Sequence, residues 1–311
     1  MGHKSEDSSA IDLSISLGSL ELKNPVMPAS GTFGYGHEVS SLTEGSAMGA
    51  LVTKTITALP RAGNPSPRLQ ETPAGLLNSI GLQNVGAEEF KRTILPELIT
   101  VGPPLIVSIG GHTREDFARC VEMIDGDDVD AFELNISCPN VASGMEFSRS
   151  PQEAAKVISG VRRVTSKAIF AKLSPNVTDI VSVGRACLES GSDGLTAVNT
   201  FLGMAVDVDT EAPHFQRVVG GLSGPAIRPL ALARVWELTQ KLTCPVIGVG
   251  GIVTASDAMQ FLLAGASAVQ VGTANFRDPA KGAHLVSGLR EILARKGAKT
   301  IREKIGGLRL P

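Results

Sequence analysis

The chain has little that would let it bind nucleic acid, cross a membrane or carry a metal cluster. Among its 311 residues there is one Trp and one Tyr, so platforms for stacking bases are missing. Basic and acidic residues nearly cancel, 29 against 31, and no positive field exists to attract a phosphate backbone. The four cysteines, at positions 120, 138, 187 and 244, form no CxxC pair for zinc or iron–sulfur ligation and no dense disulfide framework. No apolar run approaches the roughly 20 residues of a membrane helix. The opening MGHKSEDSSA lacks the apolar centre of an export signal. These absences predict a cytoplasmic protein that handles small molecules, with residues 1–10 flexible.

What the chain does have is a rhythm. Hydrophobic residues make up 42% and charged residues 19%, enough for a sizeable core. Short apolar runs alternate with longer helical patterns from end to end, the sign of repeated βα units. The runs fall at 26–29, 51–55, 105–109, 131–136, 169–173, 194–198, 245–249 and 268–271. Helical patterns follow, at 87–100, 114–124, 152–164, 179–190, 227–242 and 256–264. Eight such units predict an α/β fold, one (β/α)8 TIM barrel over residues 11–311. Two intervals between strands are longer than the rest and place insertions at 60–85 and 201–224. Both follow strands and are rich in Gly and Pro, so they should stand over the C-terminal mouth, where barrels keep their active sites.

The stretch AFELNISCPN, residues 131–140, organises the rest. A buried strand pattern runs into a thiol flanked by asparagines, and Pro139 ends regular structure just past it. A loop on a rigid strand is a usual place for catalytic groups; a buried structural cysteine is the other reading. The remaining strand exits are also polar or glycine: Ser30, Lys54 and Thr55, Ser108, Lys172, Asn199 and Thr200, Gly250 and Gly251, Gly272 and Thr273. The glycines of GVGGI and VGTANF, after strands seven and eight, occupy the place where barrels bind phosphate through backbone N–H groups, and Gly224 could add one. GVGGI lacks the GxGxxG spacing, which favours a mononucleotide over a dinucleotide. Lys172 ends an otherwise buried run and should meet an anion; beside a flavin it would stabilise the reduced ring. Escape of the ammonium to solvent is the alternative, for Lys172 as for Lys54. Asn78, Asn135, Asn140 and Asn199 suit a planar ligand with alternating C=O and N–H groups, although each could instead form a turn.

In order along the chain, NPVMPASGTFG, KTIT, NSIGLQN, LNISCPNV, AKLSPNV, TAVNT, GGLSGPAI, GVGGI and VGTANF resemble the class 1 dihydroorotate dehydrogenases, over residues 13–310. Cysteine rather than serine at position 138 is the class 1 mark. The insert from LGMAVDVDT to GGLSGPAI looks most like the catalytic subunit of the NAD-linked class 1B branch. The resemblance implies an FMN enzyme that oxidises (S)-dihydroorotate to orotate in de novo UMP synthesis. By motif it implies Cys138 as the base that takes a proton from C5 while hydride leaves C6. Lys54, Asn78, Ser79, Ile80, Gly81, Leu82, Asn135, Asn140, Asn199 and Thr200 would hold the substrate. Ser30, Lys54, Thr55, Ser108, Asn135, Lys172, Val198, Gly224, Gly250, Gly251, Gly272 and Thr273 would hold FMN. No metal site is expected. Segment 139–150, with Gly144 as hinge, could form a lid over the site.

The two electrons left on the flavin must go somewhere else, and this sequence carries neither iron–sulfur ligands nor a second nucleotide fingerprint. The resemblance implies a partner subunit with FAD and a [2Fe–2S] cluster, around a homodimer of this chain in a heterotetramer. Ser108 departs from the asparagine frequent at that place in the NAD-linked branch. Other readings are a fumarate-linked class 1A homodimer, a dihydropyrimidine dehydrogenase module, a non-redox phosphate-binding barrel, and a module that retains FMN without turnover.

Overall fold

The computed structural model describes residues 11–40, 47–137 and 147–311. Eight parallel strands lie side by side: Val26–Pro28, Leu51–Val52, Leu105–Ile109, Ala131–Asn135, Ala168–Lys172, Gly194–Ala197, Val246–Val249 and Ala268–Val271. From the second to the eighth, each pairs with the next in sequence, and the eighth pairs with the first. The Gly49 N–H reaches the Val26 carbonyl at 2.8 Å and joins the first strand to the approach of the second, rounding the sheet into the expected barrel. Strands three, four and five are buried at every residue. That pattern belongs to a parallel sheet with helices on its outer face and packed side chains inside.

Helices Arg114–Ile124, Pro151–Arg162, Ile180–Glu189, Arg228–Lys241 and Ala255–Leu263 fall where the sequence predicts them, and Lys281–Arg295 follows strand eight. Their starts are fixed chemically. Thr113 and Thr254 accept from the N–H groups of Asp116 and Asp257, whose carboxylates accept from the cap residues in return. Ser150 and Asp179 cap two more. The expected helix at 87–100 is divided by a π-turn, Phe90–Ile94, between Ala87–Glu89 and Leu95–Leu98. Pro96 has no N–H to donate and crowds the carbonyl four residues back, so the ladder widens ahead of it.

Both ends of the barrel are covered. At the N-terminal end, the hairpin of Ile15–Leu17 and Leu20–Leu22 turns at Gly18, beside Asp193 at the entry to strand six, and buries its four apolar side chains. At the mouth, the two insertions pair with each other into one antiparallel sheet, in the order Phe201–Met204, Val219–Ser223, Gly75–Asn78, Leu69–Thr72. Among the described residues, no helix is long and apolar enough to cross a membrane, and no group of three or more His, Cys, Asp or Glu could hold a metal ion.

Candidate active site

Between the barrel mouth and the inserted sheet lies a cavity of about 330 Å³, within the range of small-molecule sites. Strand exits supply Ser30, Lys54, Thr55, Asn135, Lys172 and Val198 to its wall, and Asn199 and Thr200 continue from strand six. Gly250, Gly251, Gly272 and Thr273 come from strands seven and eight, while Asn78, Ile80, Gly81, Leu82 and Gly224 enter from the insertions.

Two expected residues stand behind this wall. Ser108 is fully buried, its hydroxyl 2.9 Å from Thr55 Oγ1 and its N–H on Thr53 Oγ1, so it supports Thr55 instead of facing the cavity. Ser79 accepts from Asn64 Nδ2 at 3.0 Å; alternation along extended chain turns it away where Asn78 and Ile80 face in. Cys138, Asn140 and residues 139–146 of the expected lid lie outside the described residues. The far end of that segment is anchored, because Phe147 is buried edge-to-face on Phe117 with ring centroids 5.8 Å apart.

One side of the cavity is a chain of amides and hydroxyls. Asn199 Nδ2 donates to Ser137 Oγ at 2.7 Å and to Asn135 Oδ1 at 3.2 Å, and Asn135 Nδ2 donates to Thr55 Oγ1 at 3.3 Å. The Thr200 N–H binds Asn199 Oδ1 at 2.8 Å, and Asn78 Nδ2 donates to the Gly221 carbonyl at 3.1 Å. A Cβ at Gly221 would come within 2.8 Å of Thr200 Cβ, so glycine permits the inserted strand to lie this close. These amides are oriented before any ligand arrives. Lys54 is half-buried beside them; burial pushes its ammonium pKa down, Glu38 opposes and Arg68 assists. A ligand carboxylate would relieve that cation.

The other side is backbone. Gly224, Gly250 and Gly251 hold φ of 94°, 138° and 70°, and at Gly251 a Cβ would sit 2.7 Å from Arg228 Cβ. At Gly272 a Cβ would meet nothing nearer than Ala29 Cβ at 3.7 Å, so the space before it is open.

Lys172 lies between the two sides. Its Nζ donates to Ser30 Oγ at 3.0 Å, Glu133 Oε1 at 3.1 Å and Gln270 Oε1 at 3.2 Å. The anion it requires is therefore supplied by the chain itself. Motif reading does not single out Glu133. The available signal is a carboxylate alone in the apolar run AFELN, which cannot be buried without a cation.

Comparison with protein-family models matches residues 12–293 to the one described as Dihydroorotate dehydrogenase. The chain belongs to the dihydroorotate dehydrogenase family. Among its relatives, the "Dihydroorotate dehydrogenase B (NAD(+)), catalytic subunit" of Geotalea daltonii is 48% identical over 301 residues, covering 96% of this chain and 99% of the relative. The proteins of the same description from Geobacter sulfurreducens and Bacteroides thetaiotaomicron are 48% and 46% identical, each covering 96% of this chain and 98% and 99% of their own lengths.

Three thiols of this family member are described, and burial silences them. It pushes Cys120 and Cys187 up to about 12, with Asp116 adding to the effect at Cys120, and Cys244 up to about 11. At about pH 8, where a free thiol near its ordinary pKa reacts readily, iodoacetamide should leave these three unmodified in the folded protein. Peptide mass mapping checks this, and labelling of Cys120 or Cys187 before unfolding would contradict it.

Proposed function

We propose that this chain is the FMN-binding catalytic subunit of an NAD-linked dihydroorotate dehydrogenase, which oxidises (S)-dihydroorotate to orotate in pyrimidine synthesis. The observation that carries the reading is the two-sided cavity, with pre-set amides and Lys54 on one side, glycine backbone on the other, and Lys172 between them.

The residues fit FMN on grounds independent of the family. Gly272 keeps open a space that a side chain would fill, and Gly224, Gly250 and Gly251 hold conformations that bring peptide groups to the same wall. Such a cradle binds phosphate through N–H groups. When bound, FMN supplies a two-electron acceptor for hydride from the substrate. Asn78, Asn135, Asn199 and Thr200 hold the C=O and N–H groups of the pyrimidine, together with Asn140 from the motif. Gly81 and Leu82 close the wall around it, and Lys54 neutralises the carboxylate. Ser30, Thr55, Lys172 and Val198 contact the flavin, with Ser108 acting through Thr55 and Thr273 beside the phosphate. Cys138, three residues past Asn135, takes the C5 proton. A thiol with an ordinary pKa of about 8.5 needs only modest activation for that task.

The relatives' designation as catalytic subunits supports a partner for this chain. That partner would carry FAD and a [2Fe–2S] cluster and pass electrons to NAD(+), with two copies of this chain in a heterotetramer. Co-expressed with such a subunit, the protein should hold stoichiometric FMN and reduce NAD(+) with dihydroorotate. Rapid fumarate reduction by the chain alone, with no iron–sulfur partner associating, would place it on the fumarate-linked branch. Failure of FMN to bind even on reconstitution would leave a non-redox barrel.

A further inference from the structure

We propose that Glu133 is a positioning residue that sets the reduction potential of bound FMN, by holding the Lys172 ammonium and cancelling its charge at the cavity wall. The inference rests on the reading of this cavity as an FMN site.

An ammonium has three N–H donors, and Ser30, Glu133 and Gln270 take all three. Glu133 gives one oxygen to Lys172 and accepts from Gln270 Nε2 with the other, at 2.6 Å. Strands four, five and eight thus contribute one side chain each to a closed triangle in which every member is bonded to both others. The Lys172 and Glu133 side chains are 5% and 1% exposed, so water and salt screen the pair little. Lys172 and Ser30 line the cavity, whereas Glu133 and Gln270 stand behind it. A hydroxyl can rotate away, so Ser30 can pass its share of the ammonium to a ligand while the other two donors stay committed.

The consequence is electrostatic. A lone ammonium facing the flavin would strongly favour the reduced, anionic state. Paired with a carboxylate, it presents a dipole and favours that state less. Glu133 keeps the potential low, which suits a flavin whose electrons must continue to NAD(+), a weak oxidant.

The test is the midpoint potential of bound FMN, measured by anaerobic spectroelectrochemical titration at neutral pH in wild type, Glu133→Gln and Glu133→Asp. Glu133→Gln should shift the equilibrium at least about tenfold toward reduced FMN, which is about 30 mV more positive for a two-electron couple. Glu133→Asp keeps a carboxylate for the same ammonium and should shift it less. Loosened packing would give the reverse order, because Gln is isosteric with Glu and Asp is shorter. Unchanged potentials in variants that retain FMN would overturn the inference and leave the functional reading intact. Should Glu133→Gln not fold, Lys172→Met, which leaves the carboxylate bare, should lie at a more negative potential than Lys172→Met/Glu133→Gln, and equal potentials in those two overturn the inference alone. Wild-type protein that takes up no FMN would overturn both.

Discussion

Replacing Cys138 by alanine should slow reduction of bound FMN by dihydroorotate by about two to four orders of magnitude, the usual worth of a general base, with FMN still bound. Hydride cannot leave C6 productively unless a base takes the C5 proton, and the cavity offers few alternatives. Among the described residues that line it there is no Asp, Glu or His. Asn135 and Asn199 are amides, which do not act as bases. Ser137 is committed as acceptor from Asn199 and donor to Asn135. Lys54 is the one competitor of consequence, because burial pushes its ammonium toward the neutral form. Stopped-flow reduction across pH separates the two. If Cys138 is the base, the wild-type rate rises toward the ordinary thiol pKa of about 8.5 and the alanine variant loses that rise. A variant with an unchanged rate and profile would transfer the role to Lys54.

Lys172→Met should cost about 3–5 kcal/mol of folding stability, the range for removing one partner of a buried ion pair. Glu133 is 0% exposed and faces no other cation among its hydrogen-bond partners, Lys172 and Gln270. Without the ammonium its charge is left to a single amide. The double variant Lys172→Met/Glu133→Gln should recover much of the loss, because no charge then remains to bury. Denaturant unfolding of the FMN-free protein measures both. A loss below about 1 kcal/mol in the single variant would mean that the pair is solvated, as exposed ion pairs are.

How much of this could be read from residues alone follows from how local each feature is. The barrel strands are legible because runs such as 105–109 and 131–136 are apolar and bounded by breakers, and the alternation with helices dictates parallel order. The positions of Ser30, Lys54, Asn135, Lys172 and Asn199 follow, since a barrel brings the C-terminal ends of all its strands to one mouth. Side-chain facing does not follow so simply. Ser108 and Ser79 occur beside motif residues in sequence yet point behind the wall, an outcome set by strand alternation. The triangle of Lys172, Glu133 and Gln270 depends on register across strands, with Asn135 opposite Lys172 and Val271 opposite Pro28. No pattern within one strand reports that register. The N-terminal hairpin has strands of three residues, too short for a period to emerge. The inserted sheet pairs Leu77 with Leu222, residues far apart in the chain, so its strands could be seen only as Gly- and Pro-rich interruptions.

On the proposed reading, the cavity holds FMN where dihydroorotate can reduce it. The most direct test is the visible spectrum of the FMN-loaded chain under anaerobic conditions, before and after dihydroorotate is added. Flavin absorption should bleach on addition, without NAD(+) or a partner subunit present. Flavin that stays oxidised in the presence of excess dihydroorotate would contradict it.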